Sequence, residues 1–370
     1  MSTTPKVNEH MAAILAAGTA PWLDQLRRDL IADGTLARMV AEDSLRGVTS
    51  NPSIFEKSIG GGDLYDDIIA AGVERAEDAR TIYRTIAVGD VQAACDVLRP
   101  VYDETDGYDG YVSLEVDPDL AHDTGLTIEQ AKMYSAAVDR PNLMVKIPGT
   151  EAGIPAITEV VAVGINVNVT LLFAVESYEN IAEAYIKGLE RRRDQGLSVD
   201  VHSVASFFVS RVDTEIDKRL KELGAPEELF GIAGLANARA AYRRFKELFH
   251  GERFAELRAA GAPVQRPLWA STGVKDERYP DTLYVDGLIA PETVNTMPMA
   301  TLEAARDHAD VRGATADQDP TADLKRIEDA GIDLTDVTQK LLNDAIDAFV
   351  TPMKKLLAGI EEKRAGKGGA

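Results

Sequence analysis

The chain is poor in the residues that staple small folds or bind metals. Of its 370 residues, one is cysteine and five are histidine. A lone Cys95 excludes an internal disulfide, and its setting in "DVQAACDVLRP" predicts a buried structural thiol on a helix rather than a reactive one. The scattered histidines leave no Cys or His spacing that reads as a zinc site, so no metal is expected. Positive charge is also scarce. Forty Lys and Arg stand against 61 Asp and Glu, a formal net charge of -21. Such a chain repels phosphate backbones and anionic membranes, so neither nucleic acid nor membrane is an expected partner. Small anionic substrates stay open, because screening beyond about 10 Å lets a local cluster of Arg and Lys hold a phosphate. No apolar run reaches membrane-spanning length. The opening "MSTTPKVNEHMAAILAAGTA" has an apolar core only from Met11 to Ala17, preceded by Glu9, which does not make a signal peptide. A cytoplasmic location is the expectation. "GGGD", Gly60 to Asp63, reads as a flexible loop without the spacing of a nucleotide-binding loop.

What the sequence does have is alternation. Eight short apolar or β-branched runs are separated by longer helical stretches: "APWLDQL", "GVTSNPSIF", "GYVSLEVD", "NLMVKIP", "VNVTLLF", "HSVASFFVS", "RPLWAST" and "DTLYVDGL". Segments such as "GLTIEQAKMYSAAV", "SYENIAEAYIKGLERRRD" and "DTEIDKRLKEL" read as the helices between them. Eight strands with helical crossovers predict an α/β fold, a (β/α)8 TIM barrel, as a single domain over residues 1–370. Residues 1–20 are expected as an N-terminal helical extension and 362–370 as a disordered tail. Near the C-terminus, "LTDVTQKLLNDAIDAFVTPMKKLLAGI" is amphipathic, and Pro352 is expected to kink or split it.

Strands of a parallel barrel are buried on both faces and usually read as unbroken aliphatic runs. These alternate instead. Val112, Leu114 and Val116 oppose Ser113, Glu115 and Asp117; Val167, Val169 and Leu171 oppose Asn168 and Thr170. Thr49 and Asn51 share a face, as do Val204, Ser206 and Phe208, with Arg211 just beyond. Trp269 is expected to share a face with Ser271, and Tyr284 with Asp286. Aliphatic sets turned out to the helices would leave the polar sets inside, clustered at the C-terminal strand ends where barrel active sites lie. Lys146, in "NLMVKIPGT", would then project inward among Asn51, Glu115, Asn168, Thr170 and Ser206. Desolvation disfavours an ammonium and activates the amine for Schiff-base chemistry. Since a touching carboxylate pulls the other way, Glu115 is expected to reach Lys146 through a water or hydroxyl rather than directly. Asp117 and Asp286 are expected at the solvated mouth. Asn51, before Pro52, reads equally well as a turn residue or a substrate contact, Asp24 suits an N-cap, and Phe208 suits packing.

Several of these motifs, in order, resemble transaldolase: "GVTSNPSIF", "VSLEVDPDLAHDT", "NLMVKIPGT", "GINVNVTLLF", "SFFVSRVD" and "DGLIAPETVNTMP". The likeness runs from about Trp22 to Pro298. It implies a barrel enzyme without metal or cofactor that moves a dihydroxyacetone unit between sugar phosphates in the non-oxidative pentose phosphate pathway. By the same resemblance Lys146 forms the Schiff base and Asp24 is the acid/base aspartate. Glu115 and Thr170 hold the proton-shuttling water, while Thr49, Asn51, Asn168, Ser206, Phe208, Arg211 and Ser271 contact substrate. One departure stands out. Where many members carry an arginine two residues after Ser271, this chain has Gly273, and Lys275 is the nearest cation to take its part. Expected partners are small-molecule sugar phosphates, with the chain a monomer or homodimer. The nearest rival is a Schiff-base fructose-6-phosphate aldolase that releases free dihydroxyacetone. A sugar-phosphate-binding barrel without catalysis and a metal-assisted hydrolase are the others.

Overall fold

The computed structural model describes residues 6–60 and 62–367. Its sheet is a closed barrel in the order β1-β2-β3-β4-β5-β6-β7-β8, every neighbouring pair parallel. The strands are β1 (Thr19–Leu23), β2 (Gly47–Val48), β3 (Tyr111–Glu115), β4 (Leu143–Pro148), β5 (Val167–Leu172), β6 (Ser203–Phe208), β7 (Gln265–Ala270) and β8 (Thr293–Met297). Helices separate them, so the architecture is the (β/α)8 barrel expected from the alternation of runs. Seven of the eight runs hold their strands.

The eighth does not. "DTLYVDGL" contains a short helix, Leu283–Asp286, and the closing strand is "TVNTM". Tyr284 and Asp286 therefore lie outside the barrel interior. Tyr284 packs with the outer core, and Asp286 is capped by Thr282 Oγ1 at 2.7 Å.

The two-residue period sorts the side chains as expected on most strands. Val112, Leu114, Val145, Ile147, Val167 and Val169 join the core between sheet and helices, while Ala20, Trp22, Met144, Val204, Leu268 and Val294 fill the barrel. On β7 the expected face is reversed. Trp269 packs outward and donates its indole N–H to Leu288 O at 2.9 Å, and Leu268 points in. Trp22 explains Gly47 opposite it: a Cβ there would lie 2.3 Å from the indole ring.

Beyond the barrel, helix Glu9–Ala16 docks through buried Met11 and Ile14, with Asn8 capping it through Met11 N. Residues 19 and 20, expected in the N-terminal extension, already belong to β1. Cys95 is buried within helix Ala79–Glu104, where burial pushes its thiol up to about 12. The β6–β7 connection carries helices Ser210–Leu223, Ala233–Phe249 and Ala255–Ala259. Leu334–Lys367 runs as one helix with Pro352 inside it, not as two. Residues 362–367, expected in a frayed tail, continue that helix, whereas 368–370, 1–5 and Gly61 of the "GGGD" loop lie outside the described residues. No helix among the described residues is long and apolar enough to cross a membrane.

Candidate active site

A cavity of about 140 Å³ opens at the C-terminal ends of the strands. Asp24, Thr49, Asn51, Lys146, Thr170, Ser206, Phe208, Arg211, Ser271 and Lys275 all line it, ten of the twelve residues singled out from the sequence. The other two, Glu115 and Asn168, sit behind the wall. Their grouping follows from register, since Glu115 pairs with Lys146 across β3 and β4, and Lys146 with Asn168 across β4 and β5.

Among the described residues Lys146 is the only lysine on a barrel strand, and it is 5% exposed. Its ammonium lies 3.2 Å from Glu115 Oε2 and 3.3 Å from Ser50 O. The expected spacer between Lys146 and Glu115 is therefore absent: the two touch as an ion pair. Beyond that contact, Glu115 Oε1 has no hydrogen-bond partner among the described residues. Burial pushes the Glu115 carboxyl up to about 7, against the pull of Lys146 and with a smaller push from Asp24. A carboxyl poised there accepts and returns protons near neutral pH. Thr170 Oγ1 is also buried without a hydrogen-bond partner among the described residues. The β5–β6 register shifts between Val169 and Leu172, so Thr170 still pairs with Pro148 of β4 but not with β6, and Leu171, at φ 63, packs into the barrel cluster rather than outward as expected.

Asp24 does not cap the next helix, whose N-cap is Arg27. Its Oδ1 accepts from Thr49 Oγ1 at 2.7 Å, and Thr49 Oγ1 lies 2.8 Å from Thr296 Oγ1. This hydroxyl relay fixes the carboxylate at the cavity wall. Asn51 serves both expected purposes. Its Oδ1 accepts from Ile54 N–H at the start of helix Pro52–Gly60, and the residue also lines the cavity. Asn168 is fully buried, donating to Ser113 Oγ at 2.9 Å and accepting from Ser206 Oγ at 2.7 Å. It holds Ser206 from below rather than facing the cavity.

Arg211 and Lys275 form a cationic end. Neither has a carboxylate ion-pair partner among the described residues, whereas Arg278 is taken up by Asp276 at 2.6 Å. Burial lowers the Arg211 pKa, opposed by Asp24 and Asp344. Ser271 reaches this end because its φ of 55 turns the chain out of the β7 ladder, and its Oγ lies 2.9 Å from Ser210 Oγ. Lys275 Nζ lies 3.6 Å from where a Cβ on Gly273 would stand. The missing side chain at 273 leaves room that the Lys275 ammonium borders. Two Asp–Tyr pairs tie the Lys275 loop to the Arg211 helix: Tyr284 OH donates to Asp213 at 2.8 Å, and Tyr279 OH to Asp217 at 2.6 Å.

Asp117 is not at a solvated mouth. It is fully buried, bound by Arg80 at 2.5 Å and Arg84 at 2.9 Å. Burial would raise its pKa, but hydrogen bonds from Gln130 and the arginines outweigh that and hold it below the ordinary carboxylate value. Sequence reasoning missed Thr296, Pro298 and Phe349, which also line the cavity. Thr296 was legible once β8 was put in "TVNTM"; Phe349 had no strand alternation to reveal it.

The model of the Transaldolase/Fructose-6-phosphate aldolase family matches residues 21–360. The chain belongs to that family. It is 49% identical to Transaldolase 1 of Streptomyces avermitilis over 374 residues, covering 100% of this chain and 99% of that protein. Transaldolase 2 of the same organism is 51% identical, covering 93% and 94%. Transaldolase of Mycobacterium tuberculosis strain H37Rv is 49% identical, covering 97% of both.

Proposed function

We propose that the chain acts as a transaldolase. It transfers a dihydroxyacetone unit from a ketose phosphate, sedoheptulose 7-phosphate or fructose 6-phosphate, to an aldose phosphate, glyceraldehyde 3-phosphate or erythrose 4-phosphate. The observation that carries this reading is the single strand lysine on the cavity wall, in contact with a buried carboxyl poised near neutrality. A proton passed from Lys146 to Glu115 leaves a neutral amine, which adds to the C2 carbonyl of the donor. Glu115 and Thr170, with their unmet hydrogen-bonding capacity, suit the water that carries protons as carbinolamine becomes imine. The protonated imine withdraws electrons as Asp24 takes the C4 hydroxyl proton. The C3–C4 bond breaks, and an aldose phosphate leaves. The enamine on Lys146 then attacks the carbonyl of the incoming aldose phosphate, and the steps reverse. Thr49 holds Asp24, Asn51 and Ser206 suit the donor hydroxyls with Asn168 behind them, and Arg211, Ser271 and Lys275 suit the phosphate. Every one of these groups comes from one chain, so a monomer would carry a whole site.

The names of the relatives favour transfer over release of free dihydroxyacetone. The test is borohydride reduction in the presence of fructose 6-phosphate, followed by peptide mapping. Lys146 alone should be labelled, and Lys146→Ala should fold but give no adduct. Label on another lysine, or active enzyme with no label, would overturn the mechanism.

A further inference from the structure

We propose that Phe349, on the C-terminal helix, sets the balance between transfer and hydrolysis by keeping water from the Lys146 adduct. The inference rests on the Schiff-base reading above. Phe349 belongs to no barrel strand. It comes from Leu334–Lys367, yet its ring centroid lies 5.6 Å from Lys146 Nζ and it is 5% exposed. Its helix neighbours Ala345 and Ile346 pack in one cluster with Leu171, Phe173 and Phe208 of the barrel mouth. The helix is thus seated on the strand ends as part of the core.

The consequence is a site with two unlike sides. On one lies Glu115, in ion-pair contact with Lys146, and Thr170, whose Oγ1 has no hydrogen-bond partner among the described residues. On the other, Phe349 offers an aromatic ring. Such a face attracts a cation, and the iminium formed at Lys146 keeps the positive charge of the ammonium. The ring offers no hydrogen-bond donor or acceptor to a bulk water approaching C2. An aldose phosphate does not need that side, because Arg211, on the helix after β6, and Lys275, in the loop after β7, supply charge to anchor it. The roof therefore discriminates between an anchored acceptor and unanchored water.

Release is a defined side reaction. The enamine C3 takes a proton, which regenerates the iminium. A water oxygen then adds to C2; one of its protons passes to the nitrogen and the other to Glu115 as the C2–N bond breaks, giving dihydroxyacetone and the neutral Lys146 amine. Opening the roof speeds this step without altering carbon–carbon cleavage.

The experiment uses full-length Phe349→Ala and Phe349→Leu. Free dihydroxyacetone is measured with fructose 6-phosphate alone, and sedoheptulose 7-phosphate formation after erythrose 4-phosphate is added. The ratio of release to transfer should rise by about tenfold for Phe349→Ala, equivalent to about 1.4 kcal/mol in relative barriers. Phe349→Leu, which keeps apolar cover, should raise it less. Borohydride should still trap Lys146 in both variants, which shows a folded, reactive site. Trapping with an unmoved ratio in both variants would overturn the role of Phe349 and leave the Schiff base standing. Failure to trap Lys146 in the parent chain would overturn both.

Discussion

Two arginines sit inside this barrel, one near each end, and their surroundings differ. Arg266, near the start of β7, is fully neutralised. It lies 2.9 Å from Asp109, donates to Tyr108 O at 2.9 Å and is covered by the Tyr108 ring at 4.3 Å. Burial lowers its pKa, but the Asp109 charge outweighs that and leaves it raised, while burial raises Asp109. Arg211, beyond the end of β6, is mostly buried and has no carboxylate partner at ion-pair distance among the described residues. Lys275 beside it is exposed and likewise has no carboxylate partner at ion-pair distance among the described residues. Burying a charge without a partner costs free energy, so the protein bears at the mouth a cost that it avoids at the base. That asymmetry supports the anion site proposed at the mouth, while the base closes the barrel.

The contrast is broken most severely at the aspartate of the mouth. Asp24→Asn should still form the Lys146 adduct but cleave it about 100- to 10,000-fold more slowly, as for loss of a general base. Single-turnover rates with fructose 6-phosphate would check this. At the base, Arg266→Met should cost about 3–5 kcal/mol in unfolding free energy, because Asp109 is left buried alone. Molecules that remain folded should keep near-normal kcat, and urea unfolding beside steady-state assays would separate the two effects. At the mouth the pattern should invert. Arg211→Ala and Lys275→Ala should each lose about 1.5–3 kcal/mol of transition-state binding for phosphorylated substrates, Arg211 more because it binds through two nitrogens. Unphosphorylated donors and thermal stability should be hurt much less. Equal losses with and without phosphate would remove these residues from the phosphate site. The smallest effect is expected at Tyr279. Tyr279→Phe deletes one hydrogen bond to Asp217, worth about 1 kcal/mol, and should raise KM for phosphorylated donors a few-fold at constant kcat. A fall in kcat instead would mean that the Lys275 loop does more than hold phosphate.

Much of this was legible in the sequence because a two-residue period on a strand encodes a face directly. Lys146, Glu115, Asn168, Thr170 and Ser206 could all be assigned inward that way. The misreadings have local physical causes. "DTLYVDGL" looks like a strand by composition, but Pro280 precedes it and Gly287 interrupts it, and the true closing strand is short and carries two threonines and an asparagine. The face of β7 was read from Ser271, which reaches the cavity by a left-handed turn rather than by strand alternation. Asp117 is neutralised by arginines on a helix more than thirty residues upstream, a pairing that no local pattern encodes. Glu115 was expected at one remove from Lys146 on the ground that contact suppresses the neutral amine. The structure resolves that tension with burial, which lifts the carboxyl to about 7 and makes the pair able to share a proton.

The seam between β1 and β8 bears on how the molecule comes into being. Thr19 pairs with Thr293 and Leu23 with Met297, so the first strand finds its second neighbour some 270 residues later in the chain. Contacts so distant in sequence close slowly, since loop entropy must be lost before they are made. During synthesis the nascent barrel has an open edge at β1 until "TVNTM" has emerged. The helix that carries Phe349 emerges later still. Lys146 is therefore made about 200 residues before Phe349, the residue that would restrain its reactivity.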